Sequence, residues 1–277
     1  MAHPSIADKR RAFRALHAAG CFVLPNPWDA GSARYLETLG FKALATTSSG
    51  FAWTQARADT EVPRDTVLAH LRMLVEATHL PVNADFESGY AKDAAGVAES
   101  VRLAVDTGVA GLSIEDSTGN DATPLFPLDE AVARMRAARK AIDAAGGDTL
   151  LVGRSEGFIA GRPDLAETIA RLKAYSNAGA DCLYAPGIRT REEIAAVVKA
   201  ASPKPVNLLI GWASDLTVDE VASLGVRRIS VGGALARSAW GGFMRMTKAI
   251  AEQGRFDGFA EAASGKELNA LFARQVP

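Results

Sequence analysis

Eight times along this chain a short apolar run is followed by an amphipathic stretch of helix length. "CFVLPNPW" leads into "AGSARYLETLG", and "FKALATTSS" into a helix expected from about Pro63 to Thr78. "LPVNADFE", "VAGLSIED" and "TLLVGRSE" open the third, fourth and fifth units; "ADCLYAPG", "KPVNLLIG" and "VRRISVGG" open the last three. Gly40, Gly108, Gly179 and Gly225 follow helical stretches and carry the expected C-terminal stop signal. Continuously apolar strands between helices imply a parallel sheet covered on both faces. Eight such units within 277 residues predict an α/β fold of the (β/α)8 TIM-barrel type. A doubly wound open sheet is the alternative. The count of eight argues against it, as does the lack of a Gly-rich dinucleotide loop after the first strand. No linker or low-complexity segment interrupts the pattern. Residues 1–277 are therefore read as one barrel domain with a C-terminal helical extension, its last helical region starting at about Ser238.

The formal net charge is -1, which gives no footprint for nucleic acid or an anionic membrane surface. The one basic run, "KRRAFR", is read as the solvated face of a helix. "MAHPSIADKRR" lacks the apolar centre of a signal peptide, and no run is long enough to span a bilayer. Cys21 and Cys182 are the only cysteines, which suits a reducing, cytoplasmic setting better than a disulfide scaffold.

In (β/α)8 barrels the chemistry sits at the C-terminal ends of the strands. Here strands two to five end "TTSSG", "ADFESG", "SIEDS" and "GRSEG", so four consecutive strands bring polar or charged groups to one rim. For any one strand end, the duller reading is a cap for the following helix. Asp85 and Glu87 point the same way, and two like charges so close need a cation between them. Asp85, Glu87 and Glu115, with Asp59 as a further candidate, form a hard-oxygen cluster of the kind that holds Mg²⁺ or Mn²⁺. The rival cation is Arg154, one strand away, in a structural ion network.

Zinc is not expected, because His3, His17, His70 and His79 all fall away from the strand ends, the last two on the helix before strand three. The two cysteines open strands one and six and read as small buried hydrophobes at the opposite face. No lysine lies at the end of a strand, which disfavours an imine-forming aldolase. What remains is a metal, Arg154, Ser48, Ser49 and backbone N–H groups near Gly50. That set suits a 2-oxo acid and the negative charge that develops on its carbonyl oxygen. Arginine can bind a carboxylate bidentately. Asn207, in the seventh strand, is grouped with the substrate-binding residues.

Four stretches together resemble the isocitrate lyase/phosphoenolpyruvate mutase superfamily. They are "DAGSARYLETLGF", "TTSSGFA" with the trailing Asp59, "ADFESGY", and the strand ends "SIED" and "VGRSEG". The resemblance implies a (β/α)8 barrel whose last helix is exchanged between subunits, hence a homodimer or homotetramer. It implies Asp85 as principal Mg²⁺ ligand, with Glu87 and Glu115 holding metal-bound waters. Ser49 and Gly50 would bind the substrate carboxylate or oxyanion, Arg154 the 2-oxo acid moiety, and Asp59 would lie by metal or substrate. One departure stands out. The carbon–carbon lyases of the family carry a K-[KR]-C-G-H loop after strand four, and the phosphonopyruvate-acting members a K-T-N-S loop. Here "DSTGNDATPLFPLDEA" has neither, and its Asn120 and Asp121 fall at a different offset.

The expected function is a Mg²⁺-dependent lyase or decarboxylase acting on a small 2-oxo or 2-hydroxy (di)carboxylic acid, with Asp59, Arg154 and Glu115 as catalytic residues. Asp59, Glu156 and Tyr184 are the candidate proton handlers, Tyr184 more plausibly a core aromatic. Two alternatives are weighed. One is phosphorus–carbon bond chemistry, suggested by the "GG" turn after strand eight. The other is a 2-oxo acid binding protein with little catalysis, suggested by the lost loop.

Overall fold

The computed structural model describes residues 4–273. In chain order the elements are α1 (Ile6–Leu16), β1 (Phe22–Leu24), α2 (Ala30–Thr38), β2 (Leu44–Ala45), α3 (Ser48–Thr54), α4 (Arg64–Ala77), β3 (Val82–Asp85), α5 (Ala94–Val105), β4 (Gly111–Glu115), α6 (Leu128–Ala144), β5 (Leu150–Arg154), α7 (Leu165–Asn177), β6 (Cys182–Tyr184), α8 (Arg191–Ala201), β7 (Val206–Leu209), α9 (Val218–Ser223), β8 (Arg228–Ser230), α10 (Ala234–Gln253) and, after a 3₁₀ turn, α11 (Gly265–Ala273). Each of the seven strand ladders is parallel, in the order β1-β8-β7-β6-β5-β4-β3-β2. Between the two remaining edges the Ala45 N–H donates to the Pro25 carbonyl at 3.0 Å, which closes the (β/α)8 barrel.

The local chemistry follows the punctuation of the sequence. Asp29, Asp93, Asp164, Thr190 and Thr217 each cap a helix by accepting an N–H from the first turn. Gly40, Gly108, Gly179 and Gly225 all take the left-handed conformation that stops a helix. The apolar helix faces and the outer strand faces share one large buried cluster, running from Phe51 through Leu112 and Tyr175 to Ile229.

Several expectations need correction. The "KRRAFR" run is not simply a solvated face. The Lys9 ammonium is buried and donates to the Val75 and Thr78 carbonyls at 2.8 and 2.6 Å, capping the C-terminus of α4. Arg10 does the same for α5, through the Val105 and Val109 carbonyls. Both cations meet carbonyls at or just beyond the negative end of a helix dipole, a favourable exchange for water. Strand two is shorter than its hydroxyl-rich run suggests. Thr47 accepts the Gly50 N–H and turns the chain into α3. The last long helix starts at Ala234 rather than near Ser238, because the left-handed Gly232 makes the turn that early. His79 lies beyond the end of α4, not on it; His3 lies outside the described residues.

The end of α1 seals the N-terminal mouth of the barrel. Phe13 packs with Leu24, Ala43, Ala45, Ala110 and Leu150. Gly111 makes room for it: a Cβ there would stand 2.7 Å from the Phe13 ring. At the other side of the molecule, Trp240, Phe243 and Met244 of α10 are exposed, as are Phe256 and Phe259 beyond it. None of the described helices is long and apolar enough to cross a membrane.

Candidate active site

Barrel lumens are usually filled with branched apolar side chains. This one is polar through much of its depth. Asn83 and Asp85 project from β3, Ser113 from β4, Arg154 from β5, Tyr184 from β6, and Arg228 and Ser230 from β8. All of them line a cavity of ≈ 140 Å³ at the C-terminal side. Thr46, Thr47, Ser48 and Ser49 make one wall; Asn26, Gly232 and Gly233 close the other. The space suits several waters or one small acid.

Arg154 organises the rim on the β3–β5 side. Parallel register puts it beside Glu115 on one flank and Tyr184 on the other. Its Nη1 lies 3.0 Å from Asp85 Oδ1 and 3.2 Å from Glu115 Oε2, and its Nε donates to Glu156. Nη2 has no hydrogen bond among the described residues, and Arg154 lines the cavity. Glu156 is held in turn by buried Asp116, which accepts the Glu156 N–H at 2.7 Å. Asp116 is fixed by Tyr175 Oη at 2.5 Å and Arg171 Nη1 at 3.2 Å. The second oxygen of Asp85 accepts the Ser48 N–H at the start of α3.

The electrostatics are unbalanced. Asp59, Asp85, Glu87, Glu115 and Glu156 influence one another around a single guanidinium. Burial pushes Glu115 and Glu156 up, with Arg154 opposing. Burial pushes Glu87 up to about 7 against the hydrogen bond from Tyr90 Oη at 2.8 Å, and Asp85 and Asp59 add to the rise. Partial desolvation and Asp85 raise Asp59 as well. Burial works against the charge on Arg154, but Glu115 and Glu156 keep it firmly protonated. Glu87 also has a left-handed backbone, φ 45°, a costly conformation that aims its carboxylate inward.

This surplus of hard carboxylate oxygens is chemistry that fits a divalent cation such as Mg²⁺ or Mn²⁺. Asp85, Glu87 and Glu115 are the residues that would hold it. Among the described residues, no three carboxylate, imidazole or thiolate groups already converge as a ready-made ligand set. The cation between Asp85 and its neighbours in this structure is Arg154, which reaches Asp85 and Glu115 but not Glu87.

Of the expected residues, Asp59, Asp85, Arg154, Ser48 and Ser49 line the cavity. Glu87 turns to a smaller void behind Asp85, shared with His70 and Tyr90. Glu115 reaches the site only through Arg154. Gly50 lies behind the wall: its N–H is taken by Thr47, and a Cβ would strike Thr47 and crowd Ala236 and Trp28. Asn207 lies deeper than the cavity wall. It is fully buried, is not among the residues lining this cavity, and joins Arg228 Nε (2.8 Å) to Ser230 Oγ (3.0 Å). Tyr184 is more than a core aromatic, since its ring stands 5.2 Å from the Arg154 guanidinium on the cavity wall. Burial, with Arg154 opposing, lifts its hydroxyl to about 12. Asn120 and Asp121 sit exposed in a hairpin closed by the Ser117–Leu125 bridge, away from the cavity lining. Sequence reasoning missed Asn26, Asn83, Ser113, Arg228 and Ser230. The last four carried a signal, because each lies on a strand in phase with the inward-facing positions.

Residues 13–251 match the phosphoenolpyruvate phosphomutase family. An oxaloacetate decarboxylase from Chromohalobacter salexigens is 32% identical over 240 residues, 82% of this chain and 80% of its own. Among solved structures, a Burkholderia cenocepacia J2315 protein provisionally described as a lyase/mutase superposes with a TM-score of 0.94 at 47% identity, covering 97% of this chain and 98% of the other. An oxaloacetate acetylhydrolase bound to its product oxalate gives 0.85 at 25% identity, covering 97% and 95%.

Proposed function

The chain belongs to the phosphoenolpyruvate mutase/isocitrate lyase superfamily of enzymes, and we propose that it is a Mg²⁺-dependent lyase that decarboxylates or cleaves a small 2-oxo dicarboxylic acid. The observation that carries this reading is the Asp85–Arg154–Glu115 cluster opening on a cavity whose facing wall is the start of α3. When bound, the cation supplies positive charge beside a carbonyl oxygen. Everything else falls to the chain. Arg154 directs Nη2 at the oxygen that gains charge as the carbon–carbon electron pair moves onto it. Glu156, fixed by the Asp116–Tyr175–Arg171 network, keeps the guanidinium in that orientation. Ser49, with its hydroxyl 3.2 Å from Thr47 Oγ1, presents a polar edge to the substrate. Asp59, at the open end and with its carboxyl pushed up, is the group suited to carry the proton to the carbon left behind. Decarboxylation needs no strong acid at the bond that breaks, so a chain without the Lys-Cys-His loop can perform it.

The exposed apolar face of α10 supports a homo-oligomer in which a second copy covers Trp240, Phe243 and Met244. Phosphorus–carbon chemistry is the second reading, favoured by Gly232 and Gly233 on the cavity wall. The test is a panel of 2-oxo acids, 2-hydroxy acids and phosphonopyruvate, assayed with Mg²⁺ and with chelator. Chelator-sensitive release of pyruvate or CO₂ is expected, and Asp85→Ala should abolish metal-dependent ligand binding. Turnover that chelator leaves untouched would refute the metal role, and no turnover across the panel would refute the lyase.

A further inference from the structure

Arg228 is a buried cation without an anion. Only 2% of it is exposed, and no carboxylate among the described residues lies within ion-pair distance. Its Nε donates to Asn207 Oδ1 at 2.8 Å, and Nη1 approaches Asn83 Oδ1 at 3.4 Å and His17 Nε2 at 3.3 Å. Every one of these partners is neutral. Phe13 lies under it, with the guanidinium carbon 5.9 Å from the ring centre. Burying a charge without a counter-charge is costly, and neutral hydrogen bonds recover only part of that cost. Arg154 is the opposite case, a guanidinium shared among three carboxylates. Yet both line the same cavity. Acids crowd the β3–β5 side, while the β8 side offers one unneutralised positive charge.

We propose that the β8 side of the cavity floor is an anion subsite, in which Arg228 is the counter-ion for a carboxylate of the ligand. Above Arg228 stand Ser230, Ser49 and the Gly232–Gly233 turn, all on the cavity wall. The turn is held open by Asn26, whose side-chain oxygen accepts both the Val231 and Gly232 N–H groups at 2.9 Å. A side chain at Gly233 would crowd this end, since a Cβ would stand 2.8 Å from Ser49 Oγ and 3.3 Å from the Trp53 ring. The two ends therefore orient a 2-oxo acid. Its retained carboxylate points to Arg228 and its carbonyl to Arg154. The carboxylate that leaves as CO₂ cannot be the one over Arg228, because a guanidinium there would stabilise the ground state more than the transition state.

This assignment rests on the lyase reading only for the identity of the ligand. Its test is binding, so the two can fail separately. Pyruvate and its neutral amide are the probes, titrated by calorimetry into the full chain with Mg²⁺. The wild type should prefer pyruvate. Arg228→Met should weaken pyruvate binding by about tenfold to a hundredfold, the scale of a charge-assisted hydrogen bond, and leave the amide unchanged. Arg228→Lys should recover part of the preference. Thermal melts establish which variants are folded, and Arg228→Lys carries the comparison if Arg228→Met is not. Chloride tells the substrate carboxylate from a free halide as the source of the negative charge. Competition with pyruvate places both on Arg228. Chloride that instead strengthens pyruvate binding would overturn the assignment. So would a wild type indifferent to the charge of the probe, or a folded Arg228→Met with unchanged preference.

Discussion

His17 lies in the seal of the barrel, and its titration should set how the protein responds to acid. Its ring stands edge-on to Phe13 and Phe22, Nδ1 lies 2.8 Å from the Phe13 carbonyl, and Nε2 faces Arg228 Nη1. These partners fit a neutral ring that donates from Nδ1 and accepts at Nε2. Burial, then Arg228, lowers its pKa from 6.5 to about 3. The unfolded chain therefore binds a proton that the folded chain refuses between pH 6.5 and pH 3. Stability from this group is complete above pH 6.5 and is lost progressively as pH falls toward 3. By linkage the loss is about 2 kcal/mol at pH 5 and about 3 kcal/mol at pH 4. At about 2.1 cal/mol/K of unfolding entropy per residue, 2 kcal/mol lowers the melting temperature by roughly 3–4 °C. His17→Gln can still donate to Phe13 and accept from Arg228 but carries no titrating ring. It should lose that much less than the wild type between pH 8 and pH 5, measured by calorimetric melts in matched ionic strength. Wild-type and variant curves that run parallel across this range would refute the neutral-histidine account of the seal.

Glu87 should act in the opposite direction. With its carboxyl raised to about 7, its own contribution to the stability of the metal-free protein is complete below pH 4.5 and is lost as pH rises through 7. Glu87→Gln should flatten that slope in chelator, and Mg²⁺ should flatten it in the wild type, both read from melting curves. Gly111→Ala should cost about 1–3 kcal/mol in denaturant titrations, since the new methyl would meet Asn83, the Phe13 ring and the Leu150 carbonyl. Charges at Trp240 and Phe243, which are 39% and 58% exposed on α10, should shift the protein to monomers in light scattering. A single species of unchanged mass would argue against a shared interface there.

The barrel was legible because alternation and glycine stops are local signals; the alternation survived in every unit, and the four glycine stops at Gly40, Gly108, Gly179 and Gly225 hold. The strand-end acids and Arg154 were legible because charge at the end of an apolar run has few explanations. What stayed hidden was chemistry inside the strands. Asn83, Ser113, Arg228 and Ser230 read as minor interruptions of buried runs, and only closing the barrel turns them toward a shared lumen. Arg228 was the hardest to see, since its neighbours Asn207, Asn83 and His17 come from distant parts of the chain. Lys9 and Arg10 were misread for a related reason. Nothing in "KRRAFR" shows that the carbonyls of two helix ends await them.

Phe13 and the helix that carries it also determine traffic. With the N-terminal mouth closed by a packed ring and the helix anchored through Lys9 and Arg10, the cavity is a blind alley. Whatever enters past Asp59 must return the same way. In the decarboxylation proposed above, the gas would form on the rim side of the carboxylate held at Arg228 and could leave before the larger product. Departure would then be ordered by position, past the same rim acids that are proposed to hold the cation.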